Sequence, residues 1–231
     1  MDYPGKELEI FSKAKIFQKY IHFIIKNFLR SNILEVGAGI GSFASNYLDY
    51  YRDIYLSELD PKNFEILKNK FIKNSNIKIS NKKIDQINLN FNTIIYVNVL
   101  EHIPKDKEEI ELALSKLNPG GHLIILVPAH QNLYGSFDRA IGHCRRYDIS
   151  FFGSNNYKNA KIKKLIYLDG LGYILYFFNK ILFKEEVYPS KIKIFVWDKI
   201  FTPITIIFDY ITRYKFGKNI LCIYEKIKWF I

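Results

Sequence analysis

Cysteine is scarce in this chain: 231 residues hold two, Cys144 and Cys222, in no C-x-x-C spacing. That excludes a disulfide framework and a thiolate metal site, and it fits a reducing compartment. Also missing is an uncharged apolar run of membrane-spanning length. The best stretch, 165–183, is interrupted by Asp169 and Lys180 and carries two glycines, so a spanning helix is not expected. The first residues, Met-Asp-Tyr-Pro-Gly-Lys-Glu, lack the apolar segment of a secretory leader, and cytoplasmic placement is the expectation. Internal repeats and low-complexity linkers are lacking too. With 48% hydrophobic and 25% charged residues, the chain has enough apolar matter to bury a core, and one domain over 1–231 is expected.

Acidic residues are in deficit, and unevenly. The net charge is +11, and residues 151–231, with 14 Lys+Arg against 6 Asp+Glu, hold +8 of it. Such an end attracts an anionic partner through its summed field, whether nucleic acid, acidic lipid or phosphorylated substrate; a Lys-rich solubilising surface reads equally well. Residues 171–183 and 192–211 mix aromatics and aliphatics with lysines, the composition of an interfacial segment. The plainer alternative is a helical layer packed over the core.

The periodicity orders the elements. Residues 7–30 carry apolar positions at three- and four-residue spacing and predict a helix. Residues 32–37 then form a short apolar strand ending in a glycine turn, residues 42–51 a helix, and 53–57 a second strand. Pro61 opens a helix over 61–74. Strands follow at 76–80 and 93–97, the latter apolar on both faces as a covered parallel strand must be. A helix over 106–117 ends at Asn118-Pro-Gly-Gly121, which launches a fifth strand, 122–127. This alternation predicts an α/β fold, a doubly wound, mostly parallel, Rossmann-like sheet. The expected parts are an N-terminal helix in 1–30, a cofactor-binding half in 31–127, and an acceptor region in 128–231. The last part holds a long loop, 128–150, a helical C-terminal insertion, and two returning strands at 161–168 and 219–225. Loops of that length in compact domains carry function or are disordered.

The sharpest motif is Leu34-Glu-Val-Gly-Ala-Gly-Ile-Gly-Ser42, in which Gly37, Gly39 and Gly41 follow the acidic Glu35. Glycines let such a strand-to-helix turn approach a ligand, because a Cβ would fill the ligand's volume. Glu58 stands at the end of the second strand, where a carboxylate can take both hydroxyls of a ribose. Together they describe an adenosine cradle. The dinucleotide fingerprint is G-x-G-x-x-G; here the third glycine comes one residue early.

With these residues in hand, the sequence resembles the class I S-adenosylmethionine-dependent methyltransferases. Leu34–Ser42 matches their first motif, Ser57-Glu-Leu-Asp-Pro61 the acidic end of the second strand, Asn98-Val-Leu-Glu-His-Ile103 the fourth-strand segment, and Asn118-Pro-Gly-Gly-His-Leu123 the turn before strand five. The segment 127–138, continuing through Gly142-His-Cys-Arg-Arg-Tyr-Asp148, resembles a narrower bacterial branch often found with polysaccharide and glycosyltransfer functions. The resemblance implies S-adenosylmethionine as cofactor. It places the backbone of Gly37, Ala38, Gly39 and Gly41 around the methionine portion, Glu58 on the ribose and Leu59 beside adenine, with Glu35 also among the cofactor-binding residues. Asn98, Val99 and His102 follow at the end of strand four, where Asn98 replaces a common Asp. Asp85 is offered for the adenine amine.

Methyl transfer from a sulfonium is a direct displacement that needs alignment above all. A hydroxyl acceptor would gain from a general base, for which His130, His143 and Asp138 on the long loop are the candidates; a loop histidine is more often solvated or hydrogen-bonded than a base. Arg145 and Arg146 can clamp a phosphate or carboxylate, or instead bridge the loop to Asp138 or Asp148. Tyr134 and Tyr147 are further acceptor-pocket candidates, with plain packing as the alternative. The expected activity is methyl transfer to oxygen or nitrogen of a small acceptor, sugar-containing or lipid-linked, with peripheral membrane contact left open. The competing classes are an RNA methyltransferase and a noncatalytic S-adenosylmethionine-binding protein. Against nucleic acid stand the lack of an Asn/Asp-Pro-Pro-Tyr turn at strand four and of a cysteine following a proline.

Overall fold

A computed structural model describes residues 6–154, 157–182 and 190–227. Its centre is a seven-stranded sheet: β1 (Ile33–Val36), β2 (Ile54–Ser57), β3 (Ile77–Ser80), β4 (Phe91–Val97), β5 (Leu117–Pro128), β6 (Ala160–Leu168) and β7 (Asn219–Lys226), in the order β3-β2-β1-β4-β5-β7-β6. The strands pair in parallel through β5, and β7 runs antiparallel between β5 and β6. The described helices are α1 (Lys6–Phe11), α2 (Lys15–Ile25), α3 (Pro61–Phe71), α4 (Asp106–Ser115), α5 (Ser136–Ala140), α6 (Ile149–Ser154), α7 (Gly170–Leu182), α8 (Lys191–Val196) and α9 (Thr202–Ile211). The expected doubly wound α/β sheet is thus present, with the last three helices inserted between β6 and β7.

Alternate residues of a strand face opposite sides of the sheet. In β1, Ile33 joins a core with α2, α3 and part of the insertion, while Leu34 and Val36 join a second core beneath α4 and α6. Both faces are dry, which is why the central strands read as continuous apolar runs.

Three sequence expectations are corrected. The single helix over 7–30 is two helices, because the Asp198 carboxylate accepts the backbone N–H of Ile16 at 2.9 Å and of Phe17 at 3.0 Å. A continuous helix would have sent those donors to residues 12 and 13. Residues 42–51 form only a 3₁₀ turn, Ala44–Asn46, amid further turns. There Ser45 Oγ donates to the Gly41 carbonyl at 2.8 Å and Asn46 Nδ2 to the Phe43 carbonyl at 2.9 Å, so side chains compete for helical acceptors. The fifth strand begins at Leu117, ahead of the Asn-Pro-Gly-Gly turn, because Leu117 already pairs with Phe91 before a register shift.

The insertion is tied to the N-terminal helices through buried acids. Besides Asp198, which binds the first amides of α2, Asp209 of α9 accepts from Tyr20 Oη at 2.9 Å and from the backbone of Asp169 and Gly170 at 2.9 and 2.8 Å. Asp198 and Asp209 are fully buried, so the described part of the insertion turns these carboxylates inward. No helix among the described residues is long and apolar enough to cross a membrane.

Candidate active site

The carboxyl ends of β1, β2 and β4 open onto a cavity of about 1120 Å³, lined by the glycine turn, Glu58, the end of β4, the N-terminal helices and parts of the long loop and insertion. In open α/β sheets this edge, where the strand order reverses, is the ligand crevice.

The glycine turn is built for backbone exposure. Gly37 sits at φ +65°, and a Cβ there would lie 2.6 Å from Val99 Cγ2. Gly41, at φ +69°, would place a Cβ 2.4 Å from Phe71 Cε2 and 2.8 Å from Leu67 Cδ1. The turn therefore needs these glycines to pack on Val99 and α3, a reason different from the ligand volume expected, and Gly41 does not line the cavity whereas Gly37, Ala38 and Gly39 do. Glu58 is almost buried; its Oε2 accepts the Gly39 N–H at 2.7 Å and its Oε1 the Asp60 N–H at 2.8 Å. Burial raises its pKa against the pull of those amides. A carboxylate has about four acceptor positions, so two remain for ribose hydroxyls, and the cradle fits an adenosine.

Glu35 lines the cavity from a buried position and accepts from Tyr47 Oη at 2.5 Å. Burial pushes it up to about 7, although the Tyr47 hydroxyl and the Lys70 charge pull the other way. Leu59, Asp85, Asn98, Val99 and His102 line the same cavity. Asn98 takes φ +53° at the end of β4, a left-handed conformation that Asn tolerates better than most residues.

Facing them is a polar cluster in which the long loop docks on the turn after β4. Cys144 N donates to the Glu101 carbonyl at 2.8 Å, and His102 Nδ1 lies 3.2 Å from the Gly142 carbonyl. These contacts set His143 beside His102, ring centroids 4.7 Å apart. Asp138, fully buried on α5, binds His143 Nδ1 at 2.7 Å, Arg146 Nε at 2.9 and 3.0 Å, and the Gly135 N–H at 2.9 Å. Burial alone would raise its pKa; the His143 hydrogen bond and the Arg146 charge outweigh it and hold the carboxyl below its ordinary range. Because a carboxylate only accepts, His143 carries its proton on Nδ1 when neutral, and the lone pair sits on Nε2. Burial and the neighbouring His143 lower His102 to about 4, so its ring is neutral at pH 7.

The structure brings part of the candidate set to the cavity. His143 and Arg146 line the cavity, with Asp138 directly behind them. His130, Tyr134, Arg145 and Tyr147 do not. His130 lies 3.0 Å from the Gly217 carbonyl and stacks on Tyr167. Tyr134 donates to the His143 carbonyl at 2.7 Å, which steadies the loop. Arg145 pairs with Asp106 at 2.5 Å beside a separate, shallower depression of about 440 Å³. Tyr147 is buried and donates to Asp106 at 2.9 Å. Of the two bridges considered for the arginine pair, Arg146 makes the one to Asp138. Residues that the sequence did not single out complete the wall: Leu8 and Phe11 from α1, Phe137, Tyr176 of α7 and Trp197. Only folding brings these together, and no local spacing announces them.

Residues 11–159 match the family model described as a methyltransferase domain. A search of curated protein sequences found no significant match. Among solved structures, an S-adenosylmethionine-dependent methyltransferase from Clostridium acetobutylicum is 13% identical with a TM-score of 0.62, covering 96% of this chain and 98% of that one. The N-methyltransferase NodS from Bradyrhizobium japonicum, in complex with S-adenosyl-L-homocysteine, is 14% identical with a TM-score of 0.56, over 98% and 90% of the two chains. Coclaurine N-methyltransferase, bound to N-methylheliamine and S-adenosyl-homocysteine, is 11% identical with a TM-score of 0.59, over 92% and 72%. At such identities the likeness is one of fold.

Proposed function

For a chain that belongs to the methyltransferase-domain family, we propose S-adenosylmethionine-dependent methyl transfer to oxygen or nitrogen of a small acceptor. The observation that carries this reading is a single cavity joining an adenosine cradle at Gly37, Gly39 and Glu58 to a histidine, His143, whose proton position is fixed by a buried carboxylate. S-adenosylmethionine is the cofactor, and when bound it supplies a methyl group on a positively charged sulfur. Glu58 holds the ribose, Leu59 and Asp85 border the adenine, and Asn98 and Val99 border the methionine end. A volume of about 1120 Å³ exceeds the several hundred Å³ that one drug-sized ligand fills, which leaves room for an acceptor beside the cofactor.

On the acceptor side, His143 Nε2 is the proton acceptor, and Asp138 is a positioning residue that holds the ring in the required tautomer. Arg146, its charge balanced by Asp138 and its guanidinium 5.0 Å from the Tyr176 ring centre, borders the acceptor space. Similarity of 127–148 to the branch associated with polysaccharide functions supports a sugar-containing acceptor.

A lipid-linked acceptor is supported by the surface of α8 and α9. Ile192, Phe195, Ile200, Ile204, Ile207 and Ile211 are all exposed. Their spacing is helical apart from one five-residue step at the π turn Trp197–Phe201, which keeps the stripe on one face. Lys191, Lys199, Arg213 and Lys215 are exposed beside it, while the acids of the same segment are buried. An apolar stripe with these cations beside it suits an anionic membrane surface.

The test is calorimetric titration with S-adenosylmethionine, and separately with nicotinamide dinucleotides, on the wild type and Glu58→Ala. Micromolar binding of the former, weakened at least tenfold by the substitution, supports the reading. Well-folded wild type that binds no S-adenosylmethionine overturns it.

A further inference from the structure

We propose that Glu101, His102 and His143 form a binding site for a divalent first-row transition metal on the wall of the cavity. The three residues each offer one ligand atom, and these atoms lie within 4.8 Å of one another. Three atoms so spaced always leave a point within about 2.8 Å of all of them, while Zn–N and Zn–O bonds are about 2.0–2.2 Å. The side chains therefore need to draw in by less than about 1 Å.

An independent observation points to a missing positive charge. Glu101 is fully buried, and neither of its carboxylate oxygens has a hydrogen-bond partner. His143 Nε2 lies 3.6 Å from Oε1, beyond hydrogen-bonding distance. Buried carboxylates without partners are costly, and they persist where a cation or a proton completes them.

The outer arrangement is that of metal-ligating histidines, whose second ring nitrogen is held by a carboxylate or a backbone carbonyl. His143 Nδ1 meets Asp138 at 2.7 Å and His102 Nδ1 meets the Gly142 carbonyl at 3.2 Å. Both partners accept only, so both rings present the lone pair on Nε2. Asp138 is in turn fixed by Arg146 and the Gly135 N–H. Two imidazoles and one carboxylate suit Zn²⁺, Fe²⁺, Co²⁺ or Mn²⁺ better than Mg²⁺, which prefers oxygen ligands. His102 and His143 line the cavity, so the remaining coordination positions open toward the acceptor.

The inference goes beyond the methyl-transfer reading and changes one step of it. A metal there would bind the acceptor's oxygen and lower its pKa, and the proton would pass to solvent water, because the metal occupies the His143 Nε2 lone pair. The two roles use one nitrogen atom, so binding can be judged without cofactor or acceptor.

The experiment uses full-length, tag-free protein stripped with a chelator. Zn²⁺, Mn²⁺ and Co²⁺ are titrated calorimetrically, Co²⁺ also by its visible d–d absorption, with Mg²⁺ as the contrast, on wild type, Glu101→Gln, His143→Gln and the double variant. Circular dichroism and S-adenosylmethionine titration verify the fold of each. One equivalent of a transition metal bound by the wild type, at least tenfold tighter than Mg²⁺ and weakened at least tenfold in each single variant, is the expected result. Absence of stoichiometric binding of all three transition metals to the wild type overturns the site, as does wild-type affinity retained in the double variant. Either failure leaves His143 as the proton acceptor and the cofactor assignment intact.

Discussion

Replacing Asp138 by Asn tests the link between the long loop and its chemistry. The change preserves shape and removes one charge. In the native site the carboxylate accepts four contacts, from His143, twice from Arg146 Nε, and from the Gly135 N–H. An amide offers one acceptor oxygen and turns an NH₂ toward at least one of those donors, leaving the nearly buried Arg146 guanidinium without its counter-charge. Breaking a buried pair by removing one partner costs about 3–5 kcal/mol. The expectation is a loss of about 3 kcal/mol at pH 7.5, read as a urea midpoint roughly 1 M lower at unchanged slope. Because Asp138 titrates below its ordinary value, its contribution is present above the unfolded-state pKa and disappears as the pH falls through the lowered one. The difference between variant and wild type is therefore flat in this term from neutral pH down to about 5. Asp138 does not line the cavity, so S-adenosylmethionine affinity stays within about twofold. A stability loss under about 1 kcal/mol would refute the reasoning that this carboxylate organises the loop.

Glu35→Gln should show the opposite pH trend. The native carboxyl keeps its proton to about 7 while the unfolded chain releases it near 4.5, so its contribution is complete below 4.5 and lost as the pH rises through 7. The variant should gain on the wild type by on the order of 3 kcal/mol across that window, and a pH-independent difference in urea midpoint would contradict this. Asp198→Ala removes the acceptor for the Ile16 and Phe17 N–H groups, with an expected cost of about 1–2 kcal/mol. Hydrogen exchange should quicken at those two amides; unchanged protection there would mean that α2 caps itself. With phosphatidylglycerol vesicles the protein should pellet at low salt and be released at high salt, and Ile204→Asp/Ile207→Asp should abolish pelleting. Failure of the wild type to pellet at low salt would remove the membrane surface.

Local spacing determined much of this protein. The alternation of short apolar runs with amphipathic stretches decides a covered parallel sheet, since only strands buried on both faces read as unbroken apolar runs. The Gly37–Gly41 turn and Glu58 were legible because the cradle is built from consecutive backbone and one strand end. Tertiary structure decided the rest. It splits the first helix through Asp198, 182 positions from Ile16, and gives Gly41 a packing role against Phe71 that no motif spacing reveals. From seven loop candidates it brings His143 and Arg146 to the cavity with Asp138 behind them, and it turns His130, Tyr134, Arg145 and Tyr147 toward other partners. The physical reason is that a side chain's role follows from what is packed against it, and those neighbours lie tens to hundreds of residues away. Glu101 shows this most plainly: as sequence it is one acid after strand four, and only the fold buries it beside His143 with both carboxylate oxygens lacking a hydrogen-bond partner.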